Sequence, residues 1–313
     1  APDRESRLLR RLELLGRSGP LPPAALRAIY REIMSGALAL ERCPRVAYLG
    51  PAGTFSHKAC LQYFGSAAEA VPLPTFQAIF EAVKAGRVDY GIVPIENSTE
   101  GMVNHTLDMF MESDLKISAE VLLEVSENLM NKTGRIEDVK KVFSHPQPLA
   151  QCRGWLEGNL KGVPVQEVSS TSRAAEMAAE DSSLAAIASR LAAEIYGLRI
   201  VKERIEDSSN NFTRFLVVGR KMAERCGDDK TSLMFSVKDE PGILHRMLEP
   251  FAKRGVNLSK IESRPLQGKP WEYLFYIDFI GSTDEETVRK ALDHLSEYAM
   301  MLRVLGSYAR LKS

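Results

Sequence analysis

The sequence predicts an α/β protein with two α/β lobes enclosing a cleft, followed by a smaller α+β domain and preceded by a helical pair. Three observations carry this reading. From Arg45 to about residue 220, short apolar runs alternate with helical segments, the pattern of parallel βαβ units. After residue 230 the runs follow the order β-α-β-β-α-β, the split βαβ arrangement. A chain of 313 residues also exceeds what one hydrophobic core ordinarily serves, so two or three domains are expected.

Residues 1–42 read as two helices. Leu8, Leu9, Leu12 and Leu15 recur at helical spacing, Gly16 to Pro23 interrupt, and Leu26, Ile29, Tyr30, Ile33, Ala37 and Leu40 form a second stripe. Two helices make a poor core, so these stripes call for partners, from a second chain or from a helix that would precede Ala1. The first lobe then runs VAYLG, a helix from about Ser56, AVPLP, FQAIFEAVKAG and YGIVPIE. A second set follows from about Gly134: KKVFSH, a helix through Leu149 to Leu156, VPVQEVSS, a helix from Ser172, LAAIASRLAAEIYG and TRFLVVG. Ligands of such sheets sit outside the carboxyl ends of strands, here between the lobes. MAERCGDDK (222–230) reads as a linker.

Composition narrows the function. Lys+Arg and Asp+Glu balance at 41 each, which removes a broad electrostatic case for nucleic acid or an anionic membrane. Cys43, Cys60, Cys152 and Cys226 are scattered without CxxC spacing or a clustered histidine, so neither a metal site nor a disulfide framework is suggested, and a reduced cytoplasm fits. No stretch approaches the ~20 apolar residues of a spanning helix, and the start lacks a signal peptide's apolar core.

Chemistry concentrates where strands meet helices. Gly50-Pro51-Ala52-Gly53-Thr54-Phe55-Ser56 lies between a strand and a helix, where glycines admit a ligand to the backbone and free N–H groups favour an anion. It is not a phosphate-binding P-loop, since no Lys-Ser/Thr pair follows the second glycine. Ile95-Glu96-Asn97-Ser98-Thr99-Glu100-Gly101, Ser144-His145-Pro146-Gln147 with Gln151 one turn on, and Ser169-Ser170-Thr171-Ser172 repeat the arrangement. Each segment alone is equally a capped or solvated turn. Four of them across two lobes describe a cleft that grips carboxylates and hydroxyls through neutral donors. Asp207 to Val218 carries a polar run into an apolar strand, which sets Asn210, Asn211 and Thr213 at its start, while Arg214 has the geometry for a carboxylate or for plain surface solvation.

GPAGTFS, PIENSTEGMVNHTLD, SHPQPLAQC, SSTSRAA and DSSNNFTRFLVVG, in this order, resemble the motif series of prephenate dehydratases over residues 45–220. PGILHRML (Pro241 to Leu248) and IESRP (Ile261 to Pro265) resemble the two signature segments of the ACT domain that senses phenylalanine in this family. Residues 1–42 resemble the last two helices of an AroQ-type chorismate mutase, the usual N-terminal partner in bifunctional members, without its first long helix.

The resemblance implies a periplasmic-binding-protein-like two-lobed dehydratase domain (45–220), a ferredoxin-like ACT domain (230–313) and partial mutase helices (1–42). It implies conversion of prephenate to phenylpyruvate, CO2 and water, with no metal or organic cofactor. The family's essential threonine falls at Thr213, as proton donor or orienting hydrogen bond; relay through Glu96 or water is equally compatible. Thr54, Phe55, Asn97, Ser98, Thr171, Ser172, Asn211 and Arg214 become candidates for lining the pocket. Gly242, Leu244, Glu262, Ser263 and Arg264 become the candidate phenylalanine site, placed by family analogy at a dimer interface, with a homodimer or homotetramer expected. Arg4, Glu5 and Glu41 fall at mutase positions, but with the missing helix go the family's carboxylate-binding cations, so mutase activity is not expected. A non-catalytic binding protein for an anionic metabolite, or a chorismate mutase with passive appendages, are the competing readings.

Overall fold

The computed structural model describes residues 8, 9, 11, 12, 14–16, 19–265 and 272–311. Arg4 and Glu5 lie outside them. Where described, residues 8–16 are helical, and α1 (Pro23–Arg42) follows. The apolar positions expected on α1 stand open: Ile29, Ile33 and Leu40 are exposed, and Glu41 sits exposed in the last turn.

The first lobe is built from β1 (Arg45–Leu49), α2 (Phe55–Phe64), β2 (Glu69–Leu73), α3 (Phe76–Lys84), β3 (Tyr90–Asn97), β4 (Gly101–Met102), α4 (Asn104–Glu112), β5 (Lys116–Glu124) and β11 (Phe212–Gly219). Its sheet has the order β2-β1-β3-β11-β5, with β4 on β3, and β1 runs parallel to both neighbours. Ile79 and Phe80 of α3, Ile92 and Ile95 of β3 and Leu107 and Phe110 of α4 are buried, with Phe80 and Phe110 edge to face at 5.2 Å.

The second lobe holds β6 (Asn128–Asn131), β7 (Lys141–Ser144), α5 (Pro146–Gln151), α6 (Arg153–Asn159), β8 (Val165–Glu167), α7 (Thr171–Glu180), β9 (Leu184–Ala188), α8 (Arg190–Tyr196) and β10 (Arg199–Lys202), in the sheet order β10-β6-β9-β7-β8. Alanines pack α7 and α8 close to this sheet: Ala174, Ala175, Ala178, Ala186, Ala188 and Ala192 are fully buried. The single helix expected through Leu149 to Leu156 is two. At Cys152 the backbone leaves helical geometry (φ −108°, ψ 10°), and α6 starts afresh with its Gly154 and Trp155 N–H groups donating to Asp207.

The last element set is β12 (Asp229–Lys238), α9 (Ile243–Ala252), β13 (Leu258–Pro265), β14 (Glu272–Ile280), α10 (Glu286–Ser296) and β15 (Met301–Ala309). Its antiparallel sheet runs β13-β14-β12-β15, the ferredoxin-like order expected. Leu233, Phe235, Phe275, Ile277 and Phe279 pack against Met247 and Phe251 of α9 and Leu295 of α10.

The chain forms two compact units. One comprises Ser35–Glu112 and Val121–Phe215 and contains the second lobe and most of the first; the other comprises Ala1–Met34, Ser113–Glu120 and Leu216–Ser313. Strands β5 and β11 therefore run from one unit into the other. In the second unit, Ser113–Glu120 lies along β15 and β12. Lys116 Nζ donates to Val304 O at 2.8 Å, Arg303 to Ser113 O at 3.1 Å, and the buried Glu120 pairs with Lys230.

Candidate functional site

The site assembles where β3 ends and β11 begins. Asn97 is the last residue of β3, and Asn211 and Thr213 lie one residue before and one residue into β11, so strand alternation turns Asn211 and Thr213 to the same side. All three are buried. Asn97 Nδ2 donates to Asn211 Oδ1 and to Thr213 Oγ1, both at 2.8 Å. Asn97 Oδ1 accepts the backbone N–H of Thr99 at 2.9 Å and of Glu100 at 3.2 Å, and the Thr99 hydroxyl at 2.5 Å.

Backbone N–H groups can only donate, so they fix which end of the Asn97 amide carries oxygen. The NH2 end must then face Thr213. Thr213 Oγ1 accepts there, which leaves its own hydrogen available for something else.

Four side chains close a hydrogen-bonded ring. Asn97 donates to Asn211, Asn211 Nδ2 to Gln151 Oε1 at 3.0 Å, Gln151 Nε2 to Thr99 Oγ1 at 3.3 Å, and Thr99 back to Asn97. Every member is neutral, and each donor polarises the next. Three come from the first lobe and Gln151 from the second, so the ring bridges the cleft. A cavity of about 130 Å³ opens beside it, lined by Thr99, Ala150, Gln151, Asp207, Ser208 and Asn211. Gln151 and Thr99 fall within the sequence motifs but outside the site residues that the sequence marks. The available signal was position: Gln151 follows the SHPQ helix start by one turn, and Thr99 follows Asn97 by two residues.

The other candidates divide. Ser98 stitches the strands together: its Oγ donates to Asn210 O at 3.0 Å and accepts from Phe212 N at 2.9 Å. Arg214 faces away from Thr213, as strand alternation requires, and lies 4.0 Å from Glu96, largely buried. Thr54 caps α2, accepting from His57 N at 3.3 Å and donating to Leu49 O at 2.9 Å, with Phe55 half-buried behind it. Ser170, rather than its two successors, caps α7; Thr171 is buried, and the fully buried Ser172 Oγ has no hydrogen-bond partner among the described residues. Ser172 is brought to the glycine loop of the first lobe: a Cβ on Gly53 would lie 3.3 Å from its Oγ. Burial pushes the thiols of Cys60 and Cys152 upward, so neither offers a thiolate.

The C-terminal candidates fall on two faces. Glu262 and Arg264 pair with Tyr276 and Leu274, whereas Ser263 pairs with Phe275, which faces the helices. Ser263 thus shares the helix side with Gly242 and Leu244 at the start of α9, and Glu262 and Arg264 do not. β13 is an edge strand of its sheet; Ile261 within it is 45% exposed, and Leu244 in the first turn of α9 is 49% exposed.

Fold and site together define a two-lobed small-molecule enzyme domain followed by a ferredoxin-like module. The family profile described as prephenate dehydratase matches residues 46–223, and that of the ACT domain matches residues 231–296. A bifunctional chorismate mutase/prephenate dehydratase from Aquifex aeolicus is 48% identical over 312 residues, 99% of this chain and 86% of that protein. The crystal structure of a prephenate dehydratase from Arthrobacter aurescens in complex with L-Phe is 38% identical, with a TM-score of 0.79 over 85% of this chain and 90% of that one. A structure described as a novel type of quorum-quenching acylase is 31% identical, with a TM-score of 0.78 over 85% of this chain and 98% of that one. The chain belongs to the prephenate dehydratase family and carries an ACT domain; its reaction turns prephenate into phenylpyruvate, CO2 and water.

Proposed function

We propose that prephenate is held between the two lobes beside the amide ring, and that Thr213 serves its departing hydroxyl. The observation that carries this is the fixed Asn97 amide: by donating to Thr213 Oγ1 it leaves the threonine hydrogen free to point at a substrate oxygen. The same amide donor stabilises negative charge that builds on Oγ1 as the proton moves away. Loss of CO2 and hydroxide makes the ring aromatic, so orientation and one proton suffice to drive the step.

In this reading residues 45–220 form the dehydratase domain, residues 230–313 the regulatory domain, and residues 1–42 mutase helices. The Gly53–Phe55 loop and the Thr171–Ser172 helix start line the two sides of the cleft. L-Phe binds the ACT domain where Gly242 and Leu244 of α9 and Ser263 of β13 share one face, against a second copy of the chain, while Glu262 and Arg264 lie on the other face of the strand. The exposed β13 edge supports that placement, and the L-Phe complex of the Arthrobacter relative supports L-Phe as the ligand. Among the described residues no helix is long and apolar enough to cross a membrane, and the four free cysteines support a reducing compartment, the cytoplasm.

The test follows phenylpyruvate formation from prephenate. Thr213→Ala is expected to lower kcat by roughly 10²-fold or more with melting unchanged, and Thr213→Ser to retain far more. A folded Thr213→Ala protein with near-normal turnover sinks the assignment. Parallel incubations with chorismate and with an acyl amide address the mutase helices and the acylase among the structural neighbours.

A further inference from the structure

The first lobe's glycine loop is held from three directions by groups that the dehydratase motifs do not account for. Gly53 has φ +87°, and its N–H donates to His57 Nδ1 at 3.1 Å. Its carbonyl accepts from Ser189 Oγ of the second lobe at 2.7 Å, while the preceding Ala52 carbonyl accepts from Tyr196 OH at 3.2 Å. There is no slack: a Cβ on Gly53 would lie 3.1 Å from the Ala192 Cα. The His57 ring itself is stacked on Tyr48 at 4.5 Å and 5°.

Only a neutral imidazole can accept from Gly53. With Nδ1 accepting, the hydrogen must sit on Nε2. Protonation would place two N–H groups face to face and orphan the buried Gly53 amide.

We propose that neutral His57 is a positioning residue of the dehydratase, whose Nδ1 holds the Gly53 peptide so that the loop carrying Thr54 and Phe55 stays clamped between the lobes. This rests on the cleft being where prephenate is processed. Burial lowers the histidine's tendency to protonate, in keeping with an acceptor role. The titratable groups around it are Tyr48 from β1, Cys60 one turn on in α2 and Tyr196 from α8, all neutral near pH 7, since burial raises each of them. The adjacent Lys58 is shifted downward first by burial, with Glu124, Glu127, Arg190 and Arg204 as the charges acting on it.

Two substitutions separate the hydrogen bond from the stacking. His57→Asn keeps an acceptor close to the Nδ1 position but removes the ring and its titration. His57→Phe keeps the ring on Tyr48 but removes the acceptor. If His57 positions the loop, kcat/KM should be retained within about threefold in the Asn variant and fall about tenfold or more in the Phe variant. The wild type should lose kcat/KM on the acid side, below the ordinary histidine range near pH 6.5, and the Asn variant should lack that limb. A packing role predicts the opposite ranking. Equal or better kcat/KM in the Phe variant overturns the proposal, and so does an acid limb that is absent from the wild type or unchanged in the Asn variant. Should the Phe variant fail to fold, the two pH profiles decide alone. A wild-type chain without prephenate turnover would instead overturn the reading of the cleft.

Discussion

Asn97 has every hydrogen-bonding position engaged, two as donor and three at its oxygen, and this is what gives Thr213 a defined role. Asn97, Thr99, Asn211 and Thr213 were visible in the sequence within polar runs at strand ends, whereas Gln151 ends a helix. Their connectivity was not, because three of the ring's four links join residues 52 to 114 positions apart. A second buried polar pair was wholly hidden in the sequence. Glu127 follows β5 and Glu206 precedes β11; the Glu127 N–H donates to the Glu206 carboxylate at 2.9 Å, and Glu127 Oε2 has no hydrogen-bond partner among the described residues. Burial first, and the Glu206 charge second, push Glu127 up to about 8, against an opposing pull from Lys58. The folded protein therefore holds a proton that the unfolded chain releases near pH 4.5. Stability from this group is full below that value and is lost as pH rises through about 8. Glu127→Gln, which cannot ionise, should raise the melting temperature relative to wild type at pH 9 and change it little at pH 5. Equal shifts at both pH values would count against a protonated Glu127.

Strand β5 shows why some elements escape a pattern reading. KISAEVLLE places Ile117, Ala119, Val121 and Leu123 on one face, a clean alternation, yet Ser118 and Glu120 on the other face are buried too. A charged residue inside a strand reads as solvent-facing unless its partner is known. Here the partner is Lys230, 110 residues later, itself 5.9 Å from the Tyr308 ring centroid. β6 escaped for a different reason: NLMN is only four residues long and begins and ends in Asn. The C-terminal elements, by contrast, were legible throughout, since apolar alternation, a Gly-led helix start and a second helix each span a full element. Close packing of β15 on Ser113–Glu120 depends on Gly306, where an added Cβ would fall 2.2 Å from the Ile117 carbonyl oxygen. Gly306→Ala should cost about 1–3 kcal/mol as the backbones part, measurable as a lower denaturation midpoint. An unchanged midpoint would show that this contact yields freely.

At the level of the whole chain, the two-lobed fold and the C-terminal module followed from the order of elements, whereas which segments share a compact unit did not. Local patterning carries no information on residues 113–120 grouping with residues 216–313. The family's chemistry joins a site in one unit to a proposed amino-acid site in the other, so ligand binding should be readable globally. L-Phe at about a hundred times its dissociation constant should add about 3 kcal/mol to the stability of whatever it binds. The melting temperature should rise by several degrees, while D-Phe leaves it unmoved, and prephenate turnover should fall in parallel. Unchanged melting and kinetics at saturating L-Phe would remove the regulatory proposal.

The second lobe leaves and rejoins the first at neighbouring points. Ile205 N donates to Glu127 O at 2.8 Å, Arg204 N to Asn128 Oδ1 at 3.3 Å, and β6 and β10, its first and last strands, are paired in its sheet. Topologically this lobe is a side excursion with its neck tied shut. Tension applied at the two ends of the chain would pass across the tied neck from Glu127 to Ile205 and bypass the lobe, which would stay folded until those rungs gave way. Along the peptide the two lobes are in series, yet under load the second hangs in parallel with its own neck.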